Sequence, residues 1–135
     1  MLLFTLIVML FIIFLIKARD IMFGYAVLEK KRSSDEIFRL MEYTNVYDRK
    51  HYYKQQFEKL TIKSDDGFKL TAHYLECYKE SNSIIIFLHG YSVDHHRSCQ
   101  YIDFFIEKGF NILLVDQRSH GESEGKYTTY GSYEV

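Results

Sequence analysis

Residues able to do chemistry gather in two short stretches of this 135-residue chain. In one, Gly121, Ser123 and Gly125 spell G-x-S-x-G, the pattern in which a serine nucleophile is held at a sharp strand-to-helix turn. That geometry needs the serine within about two residues of a strand end, with a helix directly after it. Ser123 meets neither condition. It lies seven positions beyond Asp116, where an apolar run ends, and the following "EGKYTTYG" has no apolar helical stripe. Glu122 and Glu124 flank the hydroxyl and raise the cost of an alkoxide. The string predicts a loop packed at the end of a strand, in which Asp116 and Arg118 bridge turns by charge-assisted hydrogen bonds. A nucleophile is not expected there.

The second stretch is "HGYSVDHH", His89 to His96. Gly90 has no Cβ, so the chain can turn sharply and present N–H groups outward. Outward N–H groups are what an oxyanion hole requires, because negative charge develops on an acyl oxygen in the transition state. A tight strand-to-loop turn without catalysis fits the same residues. Asp94-His95-His96 are metal-ligating types, but adjacent histidines lack H-x-H or H-E-x-x-H geometry and no carboxylate cluster accompanies them. They are expected to be solvated loop histidines, and no metal is expected. Neither G-x-x-x-x-G-K-[ST] nor G-x-G-x-x-G occurs, so no cofactor is expected.

The elements that must position these loops follow from hydrophobic periodicity. Phe57, Leu60 and Ile62 start a strand, Asp65-Asp66-Gly67 signals a hairpin turn, and Lys69 to Leu75 answers with Leu70, Ala72 and Tyr74 alternating. Ser83 to Leu88, "SIIIFL", is a continuous β-branched run of the kind expected for a strand buried on both faces. Ser98 to Lys108 predicts an amphipathic helix with Tyr101, Ile102, Phe105 and Ile106 on its apolar face and Gly109 just past its end. Phe110 to Val115 is a second buried strand. Strand, helix and strand make a βαβ unit, hence parallel pairing, and an isolated sheet of this kind is expected to leave its last strand as a bare apolar edge. Open parallel sheets bind ligands beyond the carboxyl ends of their strands, where both polar loops fall.

Upstream, Met1 to Ile16 is uncharged, with Thr5 its only polar side chain. At 1.5 Å per residue it spans roughly 24 Å, just short of a typical ~30 Å hydrocarbon core, and Lys17 and Arg19 can snorkel to lengthen it. No charge precedes the run and "KARD" replaces a small-x-small cleavage site, so an uncleaved anchor is expected over residues 1–20; a cleaved signal peptide and a buried helix are the alternatives. Lys17, Arg19, Lys30, Lys31 and Arg32 all follow the run, which favours a cytoplasmic body on a single-pass anchor and leaves an extracytoplasmic one open. Residues 21–55 form a helical connector. Ser33 to Glu36 fits a capping box, followed by Ile37, Phe38, Leu40 and Met41 on one face of a helix expected to pack on the next domain.

Composition narrows the classes further. A formal net charge of −1 gives no footprint for nucleic acid. Cys77 and Cys99 are the only cysteines and lack C-x-x-C spacing, so they are expected to be small hydrophobes.

The order hairpin, "SIIIFLHGYS", helix, "EKGFNILLVDQRSHGESEGKYTTYG" resembles the N-terminal portion of the α/β-hydrolase fold, in particular bacterial membrane-anchored or exported serine hydrolases. The resemblance covers residues 57–135 and rests on H-G and D-x-R-x-H-G-x-S at this spacing. It implies an α/β class: a partial α/β-hydrolase domain over residues 56–135, its hairpin followed by a βαβ unit and preceded by a transmembrane helix. It also implies that His89, Gly90 and Tyr91 form the oxyanion-hole turn, with the Tyr91 N–H as one donor. Asp116, Arg118, His120, Gly121 and Ser123 match a loop supporting the active-site rim, and in that family this serine is not the nucleophile. The family's nucleophile, acid and histidine lie on later segments, so the 135 residues by themselves are expected to be inactive. The expected function is the N-terminal part of a membrane-anchored hydrolase that cleaves esters or amides, with a small-molecule or peptide substrate bound only by a longer form. The alternative is a non-catalytic membrane-anchored remnant or interaction module.

Overall fold

The computed structural model describes residues 1–27, 31–125 and 127–128. Lys30, one of the charges bearing on orientation, and residues 129–135 at the end of the resemblance lie outside the described residues. The chain divides into two compact units, one holding the N-terminal helix and the other, from Lys31, holding every strand.

Helix α1 spans Leu2–Val27. Its apolar side chains face outward all round, from Leu3 at 71% exposure to Phe23 at 54%. Yet among the described residues no helix is long and apolar enough to cross a membrane, which overturns the expected transmembrane anchor and the single-pass location built on it. The uncharged run stops at Ile16, and Lys17, Arg19 and Asp20 follow within about one turn. Two long cationic side chains can snorkel, whereas the short Asp20 cannot. It pairs instead with Arg19 at 2.6 Å on the helix surface.

The second unit begins with helix α2, Ser34–Tyr43, and its capping box is formed. The Ser33 hydroxyl accepts from the Glu36 N–H at 3.3 Å, and the Glu36 carboxylate accepts from the Ser33 N–H at 2.7 Å. Ile37, Phe38 and Met41 are buried, while Leu40, expected on the same face, is 40% exposed. The ring of Phe38 meets His96 at 4.7 Å and Tyr52 at 5.6 Å. Tyr52 belongs to α3, Arg49–Lys54, which is N-capped by Asp48.

Strands β1 (Glu58–Lys63) and β2 (Lys69–Leu75) form the hairpin. Strands β3 (Ile84–Leu88) and β4 (Asn111–Asp116) are parallel, and β2 pairs antiparallel with β4. The sheet is therefore mixed, in the order β1-β2-β4-β3. Between β3 and β4 the single expected helix is two pieces, a 3-10 helix at His95–Tyr101 and the short α4, Ile102–Ile106. Ile102 is fully buried, whereas Tyr101, expected beside it, is 54% exposed.

Three expectations about the sheet change. The last strand, β4, is central rather than a bare edge, because β2 and β3 flank it. The edges are β1 and β3, and β3 is buried on one face only: Phe87 meets Phe105 of α4 at 5.5 Å, while Ile84, Ile86 and Leu88 are 43%, 57% and 66% exposed. A run of apolar residues cannot by itself say whether both faces are covered. On β2 the fully buried face is Thr71, His73 and Leu75 rather than Leu70, Ala72 and Tyr74, because that face meets the loop that closes β4. The core on this side is Ile112 and Leu114 of β4, Ile102, Cys99 and the apolar face of α2. Cys99 is wholly buried and Cys77 half-buried; both are free, and burial pushes both thiols up.

Candidate functional site

Strands β3 and β4 run parallel and end side by side, so their two loops emerge at the same edge of the sheet. Asp116, the last residue of β4, is fully buried. Its Oδ1 accepts from both the main-chain N–H and Nδ1 of His95, each at 2.9 Å, and Oδ2 accepts from the Glu122 N–H at 2.9 Å. Burial alone would raise this carboxyl. The imidazoles of His73 and His95 and the N–H of Glu122 outweigh it and hold the group below the usual carboxylate range. His73 Nε2 stands 3.8 Å from Oδ2, beyond hydrogen-bond reach, so the close partner is His95.

Around this anchor the rest of the segment folds back on β2. The Ser123 hydroxyl donates to the Asp116 carbonyl at 2.6 Å and accepts from the Thr71 N–H at 2.7 Å. Thr71 donates to the Glu122 carbonyl at 3.2 Å, the Glu124 N–H to the Lys69 carbonyl at 2.8 Å, and the Lys69 N–H to the Glu124 carboxylate at 2.8 Å. Ser123 thus has its proton and a lone pair committed to main chain, and the described residues that follow it are not helical. The glycines of the string have steric reasons. Gly121 has φ +50°, and a Cβ there would fall 2.2 Å from Asp116 Oδ1. Gly125 has φ +141°, and its Cβ would fall 2.5 Å from the Ser119 hydroxyl. G-x-S-x-G here describes a chain wrapped tightly round a buried carboxylate.

Arg118 reaches the hairpin turn rather than Asp116. Its guanidinium pairs in a fork with Asp66, Nη2 to Oδ1 at 3.1 Å and Nη1 to Oδ2, and lies 5.1 Å from the centre of the Phe68 ring. That pairing, with a hydrogen bond from Ser64, lowers the Asp66 carboxyl to about 2. His120 is buried with Nδ1 at 2.9 Å from the Arg118 carbonyl, and burial lowers its imidazole.

The loop after β3 is built differently. His89 is buried, and both its ring nitrogens are engaged: Nε2 accepts from the Gln117 N–H at 3.0 Å, so Nδ1 carries the proton and donates to the Gly90 carbonyl at 2.8 Å. The Gln117 side chain in turn donates to the His89 carbonyl. His89 is therefore a clamp between the two loops, not a free base. Gly90 does not adopt a positive φ; the left-handed residue is Ser92, at +62°. What glycine supplies at 90 is room, since a Cβ there would meet nothing within 4 Å. Tyr91 is 45% exposed. These three residues line a cavity of about 400 Å³ shared with Arg32 and Arg97.

His95 and His96, expected to be solvated, are 1% and 9% exposed. His73, His95 and Asp116, and separately Asp94, His95 and His96, bring possible metal-ligand atoms within 4.8 Å of one another. Those of His95, Asp94 and Asp116 are already used. His95 gives Nδ1 to Asp116 and Nε2 to the Tyr52 hydroxyl at 3.1 Å. Asp94 accepts from Ser34 at 2.7 Å and from the main-chain N–H and Nδ1 of His96 at 3.0 Å. The His73 and His95 rings stack at 3.8 Å and 22°, an arrangement in which their lone pairs do not converge on one ion. Burial lowers the His95 imidazole even against the pull of Asp116. Sequence reading missed Thr71, His73, Gln117, Arg32 and Arg97 at this edge. His73 alone carried a signal, as an imidazole among alternating residues of a strand.

No protein-family model matches the chain. It is 34% identical over 119 residues to the uncharacterized protein YqkD of Bacillus subtilis (strain 168), covering 87% of this chain and 38% of that protein. The esterase Pf2001 of Pyrococcus furiosus is structurally similar in two crystal forms, each with TM-score 0.52 and 32% identity over 62% of this chain. The chain spans 38% of the length of YqkD and about a third of the esterase chain. Over the stretch they share with the esterase, these residues have a hydrolase-type α/β fold.

Proposed function

We propose that this chain forms the oxyanion-hole side and rim of a serine hydrolase that cleaves esters or amides by acyl transfer. The triad would be supplied by residues beyond Val135. One observation carries the reading: the His89-Gly90-Tyr91 turn lies at the carboxyl end of a parallel strand, is locked by Gln117, and borders a cavity with open space beside Gly90. Main-chain N–H groups held rigidly at such a place can receive the charge of a tetrahedral intermediate at no reorganisation cost. The Tyr91 N–H is one such donor. The loop containing Ser123 fixes the neighbouring strand end and takes no part in bond breaking. The esterase likeness supports the reaction class.

The test compares the 135-residue chain with a product extended through any coding sequence downstream, using p-nitrophenyl esters and a fluorophosphonate probe. We expect the extended product to be labelled on a serine other than Ser123, and Ser123→Ala to retain labelling. Tyr91→Pro, which removes one N–H, should lower kcat/KM by about 10²-fold or more. Turnover by the 135-residue chain that disappears in Ser123→Ala would overturn the assignment. An extended product inert to both reagents would favour the reading as an interaction module, for which the exposed side of β3 offers a surface.

A further inference from the structure

The cavity beside the His89-Gly90-Tyr91 turn has a charge pattern that the reaction class does not explain. Among the described residues its lining includes Arg32 and Arg97 and no acidic side chain, although the chain has 18 Asp and Glu against 17 Lys and Arg. Neither arginine forms an ion pair within the described residues. Nη1 of Arg97 is buried and has no hydrogen-bond partner there. Asp94, the carboxylate nearest Arg97 in sequence, is engaged by Ser34 and His96.

Both arginines are also held in place by their main chain. The Arg32 N–H donates to the Ser92 carbonyl at 3.1 Å, on the loop that carries the turn. The Arg97 N–H donates to the Asp94 carbonyl at 3.1 Å, and its carbonyl accepts from the Gln100 amide at 3.1 Å. Leaving a guanidinium N–H buried without a partner is costly. A planar donor fork of this kind matches a carboxylate, to which charge-assisted hydrogen bonds are strongest. A cleft lined by one sign of charge also concentrates the opposite ion.

We propose that the substrate carries a carboxylate near its scissile ester or amide, and that Arg97, with Arg32, receives it. The inference rests on the hydrolase reading and names its substrate class, an acyl compound with a free acid group. The carboxylate would hold the acyl end in the cavity and set its carbonyl against the Gly90–Tyr91 main chain.

Binding tests this without turnover. The full 135-residue chain is titrated with monomethyl glutarate, an anionic half-ester, and with neutral dimethyl glutarate, and chemical-shift changes are followed by NMR. The half-ester is expected to bind about tenfold more tightly, the factor that one charge-assisted hydrogen bond supplies. Arg97→Gln and Arg32→Gln, checked for folding by circular dichroism, should each reduce the preference, and Arg97→Lys should keep part of it. Should Arg97→Gln fail to fold, Arg32→Gln and Arg97→Lys decide. Affinities within twofold of each other, absence of saturable half-ester binding, or a preference unchanged in the variants would each overturn the proposal. Failure of the hydrolase reading looks different: the preference stays, and no form of the protein cleaves esters. An extended product that cleaves both esters with equal kcat/KM would keep the hydrolase and remove the acid site.

Discussion

The loops that leave β3 and β4 start from neighbouring parallel strands, and they are held in opposite ways. Residues 116–124 are fixed on every side: the Asp116 carboxylate takes three hydrogen bonds, Ser123 donates and accepts, and Arg118 forks to Asp66. The turn at 89–91 is gripped through His89 and keeps open space at Gly90 and an exposed side chain at Tyr91. The segment with the richest catalytic vocabulary thus has the Asp116 carboxylate and the Ser123 hydroxyl consumed by folding. In the proposed function it is the plainer His-Gly turn, with its open space at Gly90, that meets a ligand. A polar group that already has its partners in the folded chain can do little chemistry without breaking them.

The comparison breaks most directly at Asp116. Asp116→Ala leaves the His95 main-chain N–H, the His95 ring and the Glu122 N–H facing a void, and removing one member of a buried charged network costs about 3–5 kcal/mol. Urea denaturation of the variant should show that loss, and a change under about 1 kcal/mol would mean that the loop is held by something else. Next comes Gly121→Ala. It places a methyl 2.2 Å from the Asp116 carboxylate at φ +50°, for an expected loss of about 2–4 kcal/mol from left-handed strain and overpacking together.

Acid should loosen the same loop first. Burial holds the His95 imidazole below its ordinary 6.5 even against Asp116, so the unfolded chain takes up this proton before the folded one does. Stability therefore falls as pH drops below about 6.5, until the folded value is passed, by at most about 1.4 kcal/mol per pH unit for one such group. Asp116, held below its ordinary 3.8, contributes stability that is complete above that value and is lost as pH falls further. Urea midpoints between pH 7.5 and 5 should decline in the wild type and less steeply in His95→Gln. Equal slopes would remove His95 as the cause.

How much of this was legible in the sequence divides along the same lines. The hairpin, the βαβ order, the Ser33 capping box and the non-helical surroundings of Ser123 are local facts, decided by residues within a few positions of one another. The burial of His95 and His96 was not legible, because it depends on Phe38 and Tyr52 arriving from the connector and on Asp116 arriving from β4. The choice of buried face on β2 depends likewise on Ser123 and Glu122, some fifty residues away. In the N-terminal helix, the run to Ile16 was read for its apolarity, while Lys17, Arg19 and Asp20 follow it within about one turn.

Gly90→Ala is the counterpart of Gly121→Ala and should give the smallest change in stability. No atom lies within 4 Å of the added methyl and the backbone there is not left-handed, so the folded state should move by about 0.5 kcal/mol or less. The same methyl would stand in the open space next to the turn. In an extended, ester-cleaving form it should therefore lower kcat/KM while leaving the urea midpoint nearly unchanged, whereas Gly121→Ala should lower the midpoint first. A Gly90→Ala protein as destabilised as Gly121→Ala would show that the turn is as tightly built as the loop beside it. The contrast between the two strand ends would then fail, since the space at Gly90 would belong to folding rather than to a ligand.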